Sequence, residues 1–322
     1  MYDYSMEKLV YQMFILGCDN LEMPLKKGIG GVIFFTKDIN SEEELINKIK
    51  NIKSQALVPP FITIDQEGGR VERTEKIRKR RLSAKFAYAK GLEYLKQQSE
   101  EISKELKNWG FNLNFAPCID INTNPNNPII GERAFADNVE DVIKGYEIFT
   151  NASRKYDIIP CVKHYPGHGD ADKDSHLTLP KIDLTLDEMK KNHLKPFEHA
   201  VNNNIEMIMV AHLHCTCFDK EVLPTSLSKN AIRYLRKELN YNGVLISDDM
   251  VMKGVQAYGS LEAIVKGINA GLDMFIFRNS DNETLKMIDE LVKIVESNED
   301  LKTKVIKSNK RIDTLKEKYQ II

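Results

Sequence analysis

The sequence predicts a closed (β/α)8 barrel of the TIM type, and three observations carry the prediction. Short apolar runs rich in β-branched residues recur from one end of the chain to the other, helical patterns fill the gaps between them, and charged and histidine side chains gather where the runs end. Eight runs qualify as strands. MFILG (13–17) and GVIFFT (31–36) come first, and Ser41 with Glu44 then has the spacing of a helix capping box. PFITID (60–65), FNLNFA (111–116) and PCVKHY (160–165) follow, and a second capping box, Thr185 with Glu188, comes after them. MIMVAH (207–212) leads to Ser226 and GVLISD (243–248) to Ser260, both candidate N-caps, and MFIFR (274–278) completes the set. Residues 282–315 read as one or two amphipathic helices. An open doubly wound sheet is the runner-up, set back by the lack of a Gly-x-Gly-x-x-Gly fingerprint after an early strand. Without a Pro- or Gly-rich linker, repeat or low-complexity tract, residues 1–322 are expected to be one domain, with helices from about 282 packed on the barrel.

Composition narrows the partners. Lys plus Arg (46) nearly balance Asp plus Glu (47), so no global field favours nucleic acid or an anionic membrane. The basic stretch KIRKRR, Lys76 to Arg81, has no aromatic residues interleaved and is read as a solvated loop face. Five cysteines (Cys18, Cys118, Cys161, Cys215, Cys217), odd in number and scattered, fit reduced thiols of a cytoplasmic protein. The start MYDYSMEK has no basic segment followed by an apolar one, and no apolar run reaches the ~20 residues of a membrane helix. A cytoplasmic monomer acting on a small molecule is the expectation.

Active sites of barrels collect at the carboxyl ends of the strands. Asp65, Asp120, Lys163 with His164, His212, and Asp248 with Asp249 occupy those places. The segment KHYPGHGDADKDSH (163–176) is the densest, with three histidines and three aspartates in fourteen residues. Pro166, Gly167 and Gly169 should turn the chain sharply there and project the charged side chains rather than bury them. Asp174, two residues before His176, can orient that imidazole and raise its pKa, which makes a proton donor and acceptor near neutral pH; a surface hydrogen bond is the plainer alternative. In SDDM (247–250) a strand-end carboxylate could attack an electrophilic carbon, bind a metal, anchor hydroxyls, or simply cap a loop. DQEGGRVER (65–73) combines Asp65 with Arg70 and Arg73, and GERAF (131–135) adds Arg133; such pairs grip sugar hydroxyls or a carboxylate, or brace a loop. His164, His168, Asp170, Asp174 and His176, with HLHC (212–215), also contain metal-ligand types. Their spacing fits no zinc pattern, and Pro166 and Gly167 break the helix that would align His164 with His168, so no metal or cofactor is expected.

Together these segments resemble glycoside hydrolase family 3, and within it the single-domain bacterial β-N-acetylglucosaminidases (β-N-acetylhexosaminidases) of peptidoglycan recycling. The blocks are GIGGVIFFTKDI (28–39), ITIDQEGGRVER (62–73), LNFAPCIDI (113–121), IGERAF (130–135), VKHYPGHGDADKDSH (162–176), MVAH (209–212), ISDDMVMKG (246–254) and AGLDMFIF (270–277). The resemblance implies a retaining exo-enzyme without cofactors. In it Asp248 is the nucleophile, His176 with Asp174 is the acid/base pair, and Asp65, Arg73, Arg133, Lys163 and His164 hold the N-acetylglucosamine ring. His168, Asp170 and Asp249 would support them. The implied substrate is a muropeptide-type carbohydrate with 1,6-anhydro-N-acetylmuramic acid, with or without peptide, as leaving group. Phosphorolysis or glucoside cleavage are alternatives within the family; a metal-dependent barrel hydrolase or a non-catalytic sugar-binding protein are alternatives outside it. Two stretches depart from the family pattern: the basic TEKIRKRRLSAKF (74–86), and HLHCTC (212–217), whose Cys215 and Cys217 could be prone to oxidation.

Overall fold

The computed structural model describes residues 5–171 and 179–322. Ten strands occur there in chain order: β1 (Phe14–Gly17), β2 (Gly31–Phe34), β3 (Phe61–Ile64), β4 (Leu113–Asn114), β5 (Ile159–Tyr165), β6 (Lys181–Ile182), β7 (Met207–Val210), β8 (His214–Cys215), β9 (Val244–Asp249) and β10 (Met274–Phe277). Eight of them are the expected strands, all parallel, and they close in the order β1-β2-β3-β4-β5-β7-β9-β10. Closure is made by β1 against β10, with Phe14 opposite Phe275 and Leu16 opposite Phe277. The remaining two, β6 and β8, form a separate pair with Lys181 opposite His214.

The strand sequences are continuously apolar because neither face meets water. Every residue of β1, β2, β3, β5, β7 and β10 is buried. Helices cover the outer face and side chains of the facing strands fill the interior. Of the capping signals, Thr185 and Glu188 make both bonds of the box. Ser41 accepts from the Glu44 N–H and so caps its helix on one side. Two caps fall elsewhere than expected. The helix Ser260–Ala270 is entered through Gly259, whose φ of +72° suits glycine better than serine. Ser226 is buried and bonded to His212, and the helix Lys229–Arg233 is capped instead by Ser228.

The basic stretch is only in part a solvated face: Lys76, Lys79 and Arg80 are exposed, while Arg78 and Arg81 are partly buried. Arg78 bonds Glu42 and Glu105 and lies over the Trp109 ring at 5.1 Å; Arg81 bonds Glu105, and Arg80 bonds Glu75. The partners of Arg78 and Arg81 come from the helices Glu42–Gln55 and Leu92–Trp109, so the neutralisation is invisible in the local sequence. No described helix is long and apolar enough to cross a membrane.

The last two helices, Asn282–Glu296 and Glu299–Lys318, pack against the first, Met6–Tyr11, at the amino end of the barrel. Here Lys316 is fully buried, with Nζ 5.1 Å from the Phe61 ring centroid and without a hydrogen-bond partner among the described residues. Burial pulls its pKa down to about 7, opposed by Asp313 and assisted by Lys8. Below that pH the native state must bury an ammonium. Between about 7 and the ordinary lysine value the unfolded chain holds the extra proton, so stability rises with pH across the window. Lys316→Met is therefore expected to stabilise the fold, by on the order of 3 kcal/mol at pH 6.5 and by much less at pH 10. Urea midpoints at the two pH values check this, and an equal shift at both would refute it.

Candidate active site

The carboxyl ends of the strands converge on one cavity of about 360 Å³, within the range of small-ligand pockets. Asp65, Arg73, Arg133, Lys163, His164 and Asp248 all line it. Asp65 directly follows β3, Lys163 and His164 belong to β5, and Asp248 to β9, while Arg133 ends the short turn of helix Gly131–Arg133 after β4. Asp174 and His176 lie outside the described residues. A larger hollow of about 500 Å³ sits beside the amino ends of β7 and β9. Its carboxylate, Glu206, is taken up by Arg154 and Lys318, so the convergent chemistry belongs to the smaller cavity.

Turn chemistry did not push the 163–168 side chains outward as expected. Lys163, His164 and His168 are 2–5% exposed, because the loop folds back over the strand ends. Gly169 permits this: a Cβ there would stand 1.7 Å from the Ile121 carbonyl oxygen. Each buried group then needs a partner, and most have one. Lys163 Nζ lies 2.7 Å from Asp65 Oδ1 and 2.6 Å from Glu67 Oε1. Glu67 also accepts a two-pronged bond from Arg133, Nε at 2.9 Å and Nη2 at 2.8 Å. Arg133 Nη2 reaches His164 Nε2 at 3.3 Å, and His164 Nδ1 is 2.8 Å from Asp120 Oδ2. A guanidinium can only donate, so Nε2 accepts and Nδ1 carries its proton toward Asp120.

These contacts order the charges. Burial alone would raise the pKa of Glu67, yet Arg133 and Lys163 hold it well below the usual carboxylate range. Burial alone would lower that of Lys163, and Asp65 and Glu67 push it above the usual lysine value. Asp120 is held at about 2 against burial by bonds from His164 and from the His168 N–H, the latter at 2.6 Å. His168 is the exception. Burial and nearby His164 lower its pKa to about 4, and neither ring nitrogen has a partner among the described residues. Arg73 contributes a buried Nε that is likewise unpartnered there, its guanidinium 5.7 Å from the Phe35 ring. The sequence offered Arg70 and Arg73 as partners for Asp65; Asp65 instead pairs with Lys163, and Arg133 with Glu67.

The two acids of SDDM differ. Asp248 is partly exposed to the cavity, and its Oδ1 accepts the Asp249 N–H at 2.7 Å. Burial would raise its pKa, but His164, His212, the Asp249 N–H and Lys163 together lower it. His212 fixes the backbone there: Nε2 donates to the Asp248 carbonyl at 3.1 Å, and Nδ1 accepts from Ser226 Oγ at 2.7 Å. Asp249 is raised chiefly by burial and is bonded to Arg278. Asp248 thus presents an ionised carboxylate to a cavity ringed by donors.

Of the metal-ligand types noted in the sequence, those among the described residues do not gather as a group, and Asp174 and His176 lie outside them. The His164 and His168 rings are 6.0 Å apart, His212 turns to Ser226, and His214 to the Leu223 carbonyl. Glu67 and Asp120 had no role assigned in advance. Glu67 showed only as an acid within DQEGG, and Asp120 as a polar residue following the fourth strand. Glu67→Gln would leave Arg133 and Lys163 short of a counter-charge in a buried place, and a loss of about 3–5 kcal/mol is expected in chemical denaturation. A change under about 1 kcal/mol would contradict this placement of charge.

Comparison with known proteins gives the chain a family. Residues 7–315 match the family described as glycosyl hydrolase family 3 N terminal domain. Beta-hexosaminidase A of Pseudoalteromonas piscicida is 33% identical over 276 residues, 79% of this chain and 46% of that protein, so the chain spans about half of that relative's length. Beta-hexosaminidase of Haemophilus influenzae (strain ATCC 51907 / DSM 11121 / KW20 / Rd) is 30% identical over 271 residues, 82% of this chain and 76% of that protein. The solved structure of a glycoside hydrolase family 3 beta-N-acetylglucosaminidase from Paenibacillus sp. str. FPU-7 aligns with a TM-score of 0.91 at 29% identity, over 98% of this chain and 62% of that one. With a family match running through nearly the whole barrel, the chain belongs to glycosyl hydrolase family 3.

Proposed function

We propose that this chain is a retaining exo-β-N-acetylglucosaminidase. Its substrate would be a peptidoglycan fragment, N-acetylglucosamine joined to 1,6-anhydro-N-acetylmuramic acid with or without peptide, handled in the cytoplasm during cell-wall recycling. The observation that carries the reading is Asp248: a carboxylate with a lowered pKa, anchored through its own backbone by His212, and open to a cavity that Asp65, Arg73, Arg133, Lys163 and His164 also line. The hexosaminidase names of the relatives favour an acetamido sugar over glucose.

In this mechanism Asp248 attacks the anomeric carbon as the leaving sugar departs, and protonated His176 gives the departing oxygen its proton. A glycosyl-Asp248 ester forms. Neutral His176 then takes a proton from water, the water oxygen attacks the same carbon from the side the leaving group vacated, and Asp248 is released with net retention. A neutral imidazole does not repel the Asp248 carboxylate as a second carboxylate would. Asp174 stabilises the imidazolium needed in the first step. Asp65 accepts from sugar hydroxyls, while Arg73, Arg133 and Lys163 donate to sugar oxygens; Asp65, Lys163 and Arg133 are pre-set by ion pairs.

Release of nitrophenol from the β-N-acetylglucosaminide, with the β-glucoside alongside, tests the reading. Turnover of the acetamido sugar is expected, with Asp248→Ala at least about a thousandfold slower. Acceleration by inorganic phosphate would move the reaction to phosphorolysis, and preference for the glucoside would overturn the substrate class. His176→Ala should slow substrates with poor leaving groups far more than activated aryl glycosides; an equal loss on both would remove His176 as the proton donor.

A further inference from the structure

Behind the cavity wall, one trio of metal-ligand types comes together among the described residues. Cys118 and Asp120 lie on the segment that leaves β4, and His164 lies on β5. Cys118 Sγ stands 3.2 Å from Asp120 Oδ2, His164 Nδ1 stands 2.8 Å from the same oxygen, and the three donor atoms lie within 4.8 Å of one another. All three residues are buried. The frame behind them is fixed: Ile119 N–H donates to the Lys163 carbonyl at 2.8 Å, Cys118 bridges Lys163 in parallel, and the other Asp120 oxygen takes the His168 N–H.

We propose that Cys118, Asp120 and His164 form a binding site for a thiophilic divalent cation, with Zn2+ as the natural probe, and that its occupancy inhibits the enzyme. Thiolate, imidazole and carboxylate are the donor types that such an ion selects. A tetrahedron built on ordinary zinc bond lengths has edges of about 3.3–3.5 Å, so the two hydrogen-bond spacings widen by about 0.3–0.5 Å and the Cys118 Sγ to His164 Nδ1 separation, within 4.8 Å at present, settles near the same length. The proton count closes as well. One Zn2+ displaces the Cys118 thiol proton to solvent, while the His164 proton moves from Nδ1 to Nε2 so that the ring binds as neutral imidazole; nothing is oxidised or reduced. The place gains one positive charge, which offsets the one carboxylate by which Asp65, Glu67 and Asp120 exceed Lys163 and Arg133. A fourth position remains for water. Once His164 is held through Nδ1, its Nε2 carries a proton and no longer accepts from Arg133, 3.3 Å away, so the guanidinium loses that contact and shifts. Both residues line the cavity, so metal and sugar are expected to oppose each other's binding.

The metal site stands on contacts within the chain, and only its inhibitory effect rests on the glycosidase reading. The experiment titrates Co2+ into wild type, Cys118→Ala and a Cys215→Ser/Cys217→Ser double variant, following thiolate-to-cobalt absorption, and measures inhibition by Zn2+ in parallel. One Co2+ per chain with a thiolate band is expected in wild type and in the double variant, and no band in Cys118→Ala. The zinc concentration for half inhibition should rise more than about tenfold in Cys118→Ala, the size of effect that losing even a supporting group has at zinc sites. Turnover without metal should stay within about twofold. Cys118→Ser, closer in size, replaces the alanine variant if that one does not fold. A band that survives loss of Cys118, or disappears with Cys215 and Cys217, would overturn the site. Cobalt binding at Cys118 without zinc inhibition would overturn its effect on the cavity. Should no substrate be turned over at all, the absorption band still decides the site.

Discussion

The geometry of the cavity depends on one buried carboxylate. Glu67 takes two nitrogens of Arg133 and the ammonium of Lys163, and without it these two buried cations would be left with Asp65 as their one paired carboxylate. From Glu67 the contacts run outward in alternating sign, through Lys163 to Asp65 on one side and through Arg133 to His164 and Asp120 on the other. Each member fixes the next, so the donors and acceptors around the cavity are set before any ligand arrives. The cost of burying these charges is met by pairing rather than by water. That explains why so polar a cluster can sit on the carboxyl rim of an otherwise apolar barrel.

The same logic separates two adjacent aspartates. Both line the cavity, but Asp249 is bonded to Arg278 and has a raised pKa, whereas Asp248 accepts the Asp249 N–H and has a lowered one. Their difference comes from β9 itself. Successive residues of a strand point to opposite faces, so neighbours on one strand end see different surroundings. His212, on the segment after β7, then clamps the Asp248 carbonyl, tying the position of the carboxylate to the barrel rather than to a loop. A reactive group on such a support keeps its aim better than one on a free loop.

Much of this was legible in the sequence, for identifiable reasons. The eight barrel strands announce themselves because each is buried on both faces and so is apolar along its length. Asp65, Lys163, His164 and Asp248 stand out as polar residues interrupting or ending such runs. What the sequence withheld is pairing across distance. The partner of Arg133 lies 66 residues earlier, and that of Lys163 98 residues earlier at Asp65. For the same reason the stretch Lys76 to Arg81 looked like a solvated basic face, although Glu42 and Glu105 neutralise much of it. Ser226 and Ser260 had the right residue type for caps, but a neighbouring serine and a glycine with φ of +72° took those places.

The central claim is that Asp248 is the atom donor to the anomeric carbon, and covalent trapping tests it most directly. The enzyme would be incubated with a 5-fluoro derivative of N-acetylglucosaminyl fluoride, whose electron-withdrawing fluorine slows turnover of the ester, then digested and read by mass spectrometry. The account predicts one sugar per chain, on the peptide carrying Asp248 and absent from Asp248→Asn. A sugar on Asp65 or Asp249 instead, or steady release of product with inverted anomeric configuration and no adduct, would contradict it.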